Sequence, residues 1–174
     1  MLFRSYHASA AKPVTANPVD SMLWDEARRV ETEYLDKRTG TERIAVIREE
    51  MQKEMDAGAG VFRTKEGLSR LARNLGGLRE RFEKVQIDDT SRTFNTEIVA
   101  ALELDFMLEV STAITFSALA REESRGAHAR VDFPDRNDAN FLKHTVAFHT
   151  NTLAPRLDYR DVTITHFQPQ ARTY

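Results

Sequence analysis

Side chains capable of catalysis or metal binding are concentrated between positions 121 and 144 of the 174-residue chain. Imidazole and carboxylate groups are common metal ligands in proteins. The candidate ligands are His128, Asp132, Asp135, Asp138 and His144. Because these residues lack the regular helical spacing of a dedicated metal site, we favour a hydrogen-bonded polar turn over a metal centre.

Ser124 and His128 are a second candidate pair, in which the imidazole would activate a hydroxyl nucleophile. The sequence specifies neither an orienting acid nor an oxyanion-hole loop for this pair. It also contains no Gly-x-Gly-x-x-Gly after a strand and no Walker-type loop, so it predicts no cradle for a dinucleotide or phosphate. We therefore predict no catalytic, cofactor-binding or metal-binding residue in this chain.

The same stretch is dense in arginine and acid, beginning with Arg121-Glu-Glu-Ser-Arg-Gly-Ala-His-Ala-Arg130 and an acid-rich turn. An arginine flanked by carboxylates fixes irregular backbone through bidentate, charge-assisted hydrogen bonds. Gly126 permits a backbone angle or a close approach that is closed to other residues. We therefore favour a structural role for these side chains.

Helices are predicted to position this stretch. A first helix follows Asn17-Pro18, and a second follows Thr41 as its cap and ends at Gly58-Ala-Gly60. The apolar stripe of the first contains Val19, Leu23, Ala27, Val30 and Tyr34, extended by Trp24, and that of the second contains Ile44, Ile47, Met51 and Met55.

A third helix is predicted from Thr64 to about Phe82, where Gly76-Gly77 indicates a kink or a very close helix contact. A fourth is predicted from about Phe94 to Arg121, and its apolar character on nearly all sides predicts a central, surrounded helix.

The pattern changes after Thr150. Leu157, Tyr159, Val162 and Ile164 alternate with polar residues, with a register break at Arg160-Asp161, which predicts an extended strand or arm. The expected fold is mainly all-α, a three- to four-helix bundle with a C-terminal strand or arm. The expected organisation is a flexible leader (1–17), a helical bundle domain (18–150) and an extended tail (151–174), with an organelle presequence as the alternative for the leader.

Charge and composition exclude several classes. A formal net charge of −2 gives no electrostatic reason to expect nucleic acid. The absence of cysteine excludes disulfides, thiolate metal ligands and cysteine nucleophiles. No apolar run approaches the roughly 20 residues that cross a bilayer as a helix.

The chain resembles the C-terminal helical domain of the fumarate reductase and succinate dehydrogenase flavoprotein subunit. The resemblance runs from about Thr41 to Tyr174 and rests on several motifs in family order besides the arginine-rich stretch. They are Ile44-Ala-Val-Ile-Arg-Glu-Glu-Met51, Gly60-Val-Phe-Arg63, Leu78-Arg-Glu-Arg-Phe82, Asp88-Asp-Thr-Ser-Arg92, Phe94-Asn-Thr96, Leu102-Glu-Leu104, Leu157-Asp-Tyr159, Val162-Thr-Ile-Thr165 and Arg172-Thr-Tyr174.

The resemblance implies a non-catalytic scaffold, because the family holds FAD and its dicarboxylate in preceding domains. It implies contacts with that flavin domain and an iron–sulfur subunit, and indirectly with membrane anchor subunits. The expected contact residues, called the clamp below, are Arg121, Glu123, Ser124, Arg125, Gly126, His128, Arg130, Asp135, Arg136, Asp138 and His144.

The resemblance further implies a place on the cytoplasmic face of the inner membrane, or on the matrix side of a mitochondrial membrane. The position of Met1 suggests a truncated or split gene product without its flavin domain. One sequence does not decide between fumarate reduction and succinate oxidation. A stand-alone helical interaction module is the alternative function, and a large exposed apolar face would count against it.

Overall fold

The computed structural model describes residues 18–36, 40–150 and 153–170. These residues belong to two compact units that divide between positions 37 and 38. The predicted leader lies outside the described residues, and so do positions 151–152 and 171–174 of the predicted tail. The proposed domain boundaries stay predictions.

The first unit contains helix α1 (Pro18–Val30), which continues into a π-helical turn (Glu31–Asp36). The predicted stripe of α1 is largely uncovered, since Leu23 and Trp24 are exposed. Tyr34, the last residue of that stripe, is in contrast buried, with 1% of its surface exposed. Ion pairs on the helix surface, from Arg29 to Glu26 and Glu33, accompany the helical conformation.

The second unit is a three-helix bundle of α2 (Ile44–Ala59), α3 (Lys65–Phe82) and α4 (Thr96–Ala120). Each helix turns apolar side chains towards the other two, as expected from their sequence periodicity. The largest buried apolar side chains of these helices are Ile44, Ile47, Met51, Leu68, Leu71, Leu75, Leu78, Phe82, Ile98, Leu104 and Leu108. The prediction of a mainly helical bundle is confirmed.

The start of α2 differs from the prediction. Arg43, not Thr41, is the N-cap residue, and its side chain makes no capping bond. The backbone N–H groups of Thr41 and Glu42 instead donate to the Lys84 carbonyl, both at 3.0 Å. A Cβ atom on Gly40 would lie 1.7 Å from that carbonyl oxygen, so the close approach of the two segments requires glycine.

Helix α3 begins as predicted, because the Thr64 hydroxyl accepts a hydrogen bond from Gly67 N at 3.0 Å. Gly76 is a point of close contact, but with a loop instead of with another helix. A Cβ atom there would lie 2.7 Å from a methyl group of Leu153, in the loop that precedes the last strand, whereas Gly77 has nothing within 4 Å.

Helix α4 begins two residues later than predicted, at Thr96. Asn95 caps it, accepting from Ile98 N at 2.9 Å and donating to the Asp89 carbonyl at 2.6 Å. Phe94 precedes the cap with φ of 55°, in the left-handed region. Asn95 therefore caps the helix and also ties it to the polar segment that precedes it.

The prediction that α4 is surrounded is only half right. Its buried face carries Ile98, Leu104 and Leu108, but the opposite face is exposed. Within this chain, α4 is one of three mutually packed helices. The apolar character that suggested a surrounded helix produces an uncovered apolar face.

The remaining elements are short. Strands β1 (Phe62–Arg63) and β2 (Ala129–Arg130) pair in parallel, and a one-turn helix α5 (Asp138–Phe141) follows them. Strands β3 (Lys143–Phe148) and β4 (Arg156–Asp161) form an antiparallel pair, in which Lys143 lies opposite Asp161 and Phe148 opposite Arg156. No helix among the described residues is long and apolar enough to span a membrane.

The C-terminal strand is confirmed, and its partner was missed. In β4, Leu157 and Tyr159 occupy the more buried face, as their alternation predicts. The strand ends at Asp161, so Val162 and Ile164 lie beyond it. Strand β3 falls inside the region predicted as helical, because nearly all of its residues are partly buried and no clear alternation marks it.

The two faces of α4 should respond differently to truncation. Leu104 is 0% exposed, so Leu104→Ala should lower the free energy of unfolding by about 2–5 kcal/mol. Ile114 is 43% exposed, so Ile114→Ala should cost well under half of that.

Glu109→Ala is the control, because this carboxylate lies at the surface, 2.6 Å from His149 Nδ1. Its expected cost is about 1 kcal/mol or less. Denaturant midpoints of the three variants measure this ranking. A cost for Ile114→Ala as large as that for Leu104→Ala would show that the exposed face is covered.

Candidate functional site

Arg130 is the largest fully buried side chain among the described residues, and it caps the C-terminus of α4. Its Nη1 atom donates to the carbonyl oxygens of Ala118, Leu119 and Arg121 at 3.0, 3.3 and 3.2 Å. These carbonyls have no hydrogen-bond partners within the helix. A cation at this end therefore satisfies them and interacts favourably with the partial negative charge of the helix C-terminus. The guanidinium also lies 4.9 Å from the ring centre of Phe133.

Asp132 joins this cap to another helix. Its carboxylate accepts hydrogen bonds from Arg130 Nε and Nη2, each at 2.8 Å, and from the backbone N–H of Lys65 at 2.9 Å. Lys65 is the first residue of α3, so one carboxylate links the start of α3 to the end of α4. The hydrogen bonds from Arg130, against the opposing effect of burial, hold the pKa of Asp132 well below its usual value.

Glu123 is the second buried charge, with 0% of its side chain exposed. Arg125 binds it in a bidentate manner, with Nε at 2.9 Å and Nη2 at 3.0 Å. Arg121 Nη1 and the backbone N–H of Asn137 also donate to it. Burial by itself raises the pKa of Glu123, but these hydrogen bonds outweigh burial and hold the pKa below its usual value.

The network continues to α5 and towards the C-terminal segment. Asp138, in the first turn of α5, accepts from Arg125 Nη2 and, at 2.8 Å, from Arg136 Nη2. The hydrogen bond from Arg125 lowers the pKa of Asp138. Arg136 Nη1 also donates to the Gln170 carbonyl at 2.7 Å. Carboxylates and guanidinium groups therefore alternate from the buried interior to the surface.

Arg121 ties the end of α4 to strand β3. Its Nη1 atom donates to the Phe141 carbonyl at 2.9 Å, and its Nη2 atom donates to the carbonyl of Lys143 and, at 3.3 Å, to the Thr145 hydroxyl. The guanidinium lies 5.5 Å from the Phe141 ring centre. Together with Glu123, these acceptors leave this cation bound within the chain.

Ser124 and Gly126 shape the loop that carries these charges. The Ser124 hydroxyl accepts from Arg130 N and donates to the Phe133 carbonyl, both at 2.8 Å. Gly126 adopts φ of 59°, and a Cβ atom there would meet nothing within 4 Å. This position therefore favours glycine because of its positive φ angle, and not because another group approaches closely.

His128 is held between two elements. Its Nδ1 atom lies 3.0 Å from Arg63 Nη1, and its Nε2 atom lies 3.1 Å from the Arg121 carbonyl. Arg63 donates only, so Nδ1 accepts and Nε2 carries the proton of a neutral imidazole. Burial and the charges of Arg63, Arg130 and Arg121 lower the pKa of His128, against the opposing bond to the Arg121 carbonyl.

The nucleophile and metal alternatives find no geometric support. Among the described residues, the Ser124 hydroxyl is engaged by backbone groups, and both ring nitrogens of His128 have other partners. No group of histidine and acidic side chains in the described part of the chain could hold a metal ion. Of the candidate ligands, Asp135 is exposed and offers its carbonyl to Ser124 N, and His144 is exposed on β3 opposite Arg160.

The structure brings most of the predicted clamp together and adds residues that sequence reasoning missed. Asp132 appeared only as a metal candidate, although its position two residues after Arg130 allows the bidentate pair. Arg63 lies on strand β1, far from the clamp in sequence, and no spacing in the sequence indicated that it would contact His128. It also donates to the carbonyls of Ala59 and Gly60, at 3.1 and 3.0 Å, at the end of α2.

An open groove lies next to the clamp, between α4 and β3, with a volume of about 710 Å³. The α4 wall is formed by Val110, Ala113, Ile114 and Ser117. Arg63, Arg121, Arg125 and His128 also line the groove. The groove therefore combines an apolar wall with cationic groups.

The fold and site define a helical domain in which a charged network joins the ends of helices. Residues 48–174 match the family described as the fumarate reductase flavoprotein C-terminal region. The chain belongs to this family of fumarate reductase and succinate dehydrogenase flavoprotein subunits.

Two relatives and a solved structure support this family membership. The fumarate reductase flavoprotein subunit of Haemophilus influenzae is 37% identical over 172 residues, covering 99% of this chain and 28% of the relative. The succinate dehydrogenase flavoprotein subunit of Coxiella burnetii is 42% identical over 138 residues, covering 79% of this chain and 24% of the relative. A variant of Escherichia coli quinol fumarate reductase aligns with a TM-score of 0.83 and 39% identity, covering 94% of this chain and 28% of that chain.

The cap on α4 yields a stability prediction. Arg130→Ala leaves Asp132 without its bidentate partner and the α4 carbonyls uncapped, so it should cost about 3–5 kcal/mol, as for a broken buried pair. Arg43→Ala removes an arginine whose pair with Asp88 is exposed and should cost about 1 kcal/mol or less. Equal shifts in the urea midpoint for these variants would contradict the capping role.

His128 should make stability depend on pH. Its lowered pKa means that the unfolded chain takes up a proton first as the pH falls below about 6.5. The stability linked to neutral His128 is therefore present above that pH and is lost as the pH falls through the lowered pKa. The expected loss is at most about 1.4 kcal/mol per pH unit.

The test compares unfolding free energies between pH 7 and 5 for the wild type and His128→Gln. The variant should show the shallower decline, and His166→Gln, at an exposed position, should follow the wild type. Glu123, Asp132 and Asp138 also have lowered pKa values, so their stabilisation is lost at more acidic pH in all three proteins. Identical declines in wild type and His128→Gln would refute the linkage.

Proposed function

We propose that this chain is a non-catalytic scaffold within a fumarate reductase or succinate dehydrogenase flavoprotein subunit. The observation that carries the proposal is that the guanidinium groups of Arg121, Arg125 and Arg130 are all bound to acceptors within this chain. A catalytic arginine needs donors directed at a substrate. These donors instead connect α3, α4, α5 and β3.

We place the redox chemistry in other regions of the complete subunit and in other subunits of the complex. In this proposal, FAD and the dicarboxylate are held by a preceding flavin domain, where hydride moves between the flavin and succinate or fumarate. Electrons then pass to an iron–sulfur subunit and, through membrane anchor subunits, to quinone. The complex would lie on the cytoplasmic face of the inner membrane, or on the matrix side in a mitochondrion.

The exposed face of α4 counts against a stand-alone interaction module. An independent domain is expected to cover large contiguous apolar surface, whereas a domain of a larger protein leaves such surface for its neighbour. Exposed apolar side chains on α4 include Val99, Phe106 and Val110. The scaffold proposal accounts for this face as surface that a neighbouring region of the same protein covers.

The isolated chain should neither bind FAD nor oxidise succinate. Purified chain would be incubated with FAD, desalted and examined for flavin absorbance and for succinate-dependent dye reduction. We expect no retained flavin and no turnover, because the sequence has no phosphate-cradling loop and the guanidinium groups of Arg121, Arg125 and Arg130 are already bound within the chain. Stoichiometric flavin with turnover would overturn the scaffold proposal.

In the complete flavoprotein, Arg125→Ala should impair stability and assembly more than the chemical step. It removes the bidentate partner of buried Glu123, at a cost of about 3–5 kcal/mol. Arg156→Ala is the matched control, since this arginine is exposed and has only a long ion pair with Asp158, 3.9 Å, and a surface contact with the Phe148 ring, 4.0 Å from its centre. Melting temperature, assembled yield and turnover per bound flavin would be measured. Normal melting with lost turnover per flavin would require a catalytic role for Arg125.

A further inference from the structure

The groove between α4 and β3 has a lining of one charge sign. None of the described residues that line it is acidic, and six of them are basic: Arg63, Arg121, Arg125, His128, Lys143 and His144. The whole chain has a formal net charge of −2, so this lining does not follow from a general excess of cations. The groove therefore favours an anionic occupant over a cationic one.

Most of the charge in this lining is already neutralised, but that of Arg63 is not. Glu123 forms ion pairs with both Arg121 and Arg125. Arg63 has no ion pair among the described residues. Its Nε atom donates to backbone carbonyls at the end of α2, and its Nη1 atom is bonded to His128. Its Nη2 atom is left without an acceptor in the described part of the chain.

Lys143 is the second cation of the groove that no described carboxylate neutralises. Its cross-strand neighbour is Asp161, but no ion pair joins the two side chains. The ammonium nitrogen instead lies 4.1 Å from the ring centre of Tyr159 and 5.8 Å from that of Phe141. Aromatic rings attract a cation without removing its charge. The rings therefore hold Lys143 in place and leave its N–H donors for an anion.

The rest of the groove suits a hydrocarbon. Val110, Ala113 and Ile114 of α4 form one wall, and Leu142 and Ala147 also line the groove. Its volume of about 710 Å³ is within the range of roughly 300–1,000 Å³ that is typical of small-molecule sites. An inorganic anion would leave most of this space unfilled. An occupant that matches the groove therefore has an apolar body as well as a negative charge.

We propose that this groove binds an organic anion with one carboxylate and an apolar body, of the medium-chain fatty acid class. The carboxylate accepts hydrogen bonds from Lys143 Nζ and Arg63 Nη2, and the hydrocarbon lies along the α4 wall. A dicarboxylate binds less well, because its second charge would lose water against apolar side chains. The proposal gives the domain a ligand of its own and thus goes beyond the scaffold function.

Octanoate is the probe for this site. It would be titrated into the ¹⁵N-labelled 174-residue chain, with backbone amide shifts followed by NMR. We expect saturable shifts that are confined to residues 110–118 and 142–147. Acetate, which lacks the apolar body, and octan-1-ol, which lacks the charge, should each bind at least about tenfold more weakly, and octanedioate should also bind more weakly than octanoate.

Lys143→Gln should weaken octanoate binding by about tenfold, the effect of losing one charge-assisted hydrogen bond. Arg156→Gln is the matched control. Its guanidinium also lies over an aromatic ring of the same strand pair, 4.0 Å from the Phe148 ring centre, but Arg156 does not line the groove. Its affinity for octanoate should equal that of the wild type. The ligand series on the unaltered chain tests the site even if Lys143→Gln folds poorly.

Several results would overturn the proposal. Equal affinity for octan-1-ol and octanoate would reduce the groove to an apolar surface, and equal affinity for acetate would reduce it to a simple anion site. Shifts outside the groove, an absence of saturable shifts, or unchanged binding by a folded Lys143→Gln chain would each exclude it. The scaffold function is tested separately by flavin retention, which none of these measurements involves.

Discussion

The pair formed by Arg130 and Asp132 is the interaction on which the rest of the second unit depends. It satisfies carbonyls at the end of α4 through the guanidinium and the first N–H of α3 through the carboxylate. Opposite ends of two helix dipoles are thus matched to opposite charges. A buried ion pair often contributes little compared with an apolar replacement, but removing one partner is costly. Its specific contribution is to fix how these two helices meet.

The second buried carboxylate, Glu123, extends the same principle to the smaller elements. A buried negative charge is tolerated only where donors surround it, and Arg121, Arg125 and the Asn137 N–H supply them. Each arginine then carries the connection onward, to β3 or to α5. The short helix and the strand pair therefore take their positions from a charged network instead of a large apolar core of their own.

Helical periodicity predicted the bundle well, because each helix needs an apolar face that shows in its spacing. The same signal misled at α4, where local sequence does not distinguish a helix buried within one domain from one that presents a second apolar face. Thr41 failed as a cap since backbone pairing with Lys84 takes its place. Arg63 in the site could not be predicted, because its contact with His128 spans 65 positions and depends on how the chain folds back.

The polar and apolar parts of the second unit have complementary roles. In the clamp, the donors of the main arginines are used within the chain, so this region offers rigidity and few directed groups for chemistry. On α4, the apolar side chains lack cover among the described residues, so the capacity for interaction lies there. Since the clamp holds α4 against β3 through Arg121, it also fixes the walls of the groove beside the exposed face of α4. A rigid charged network is therefore what allows an exposed apolar surface to keep one shape.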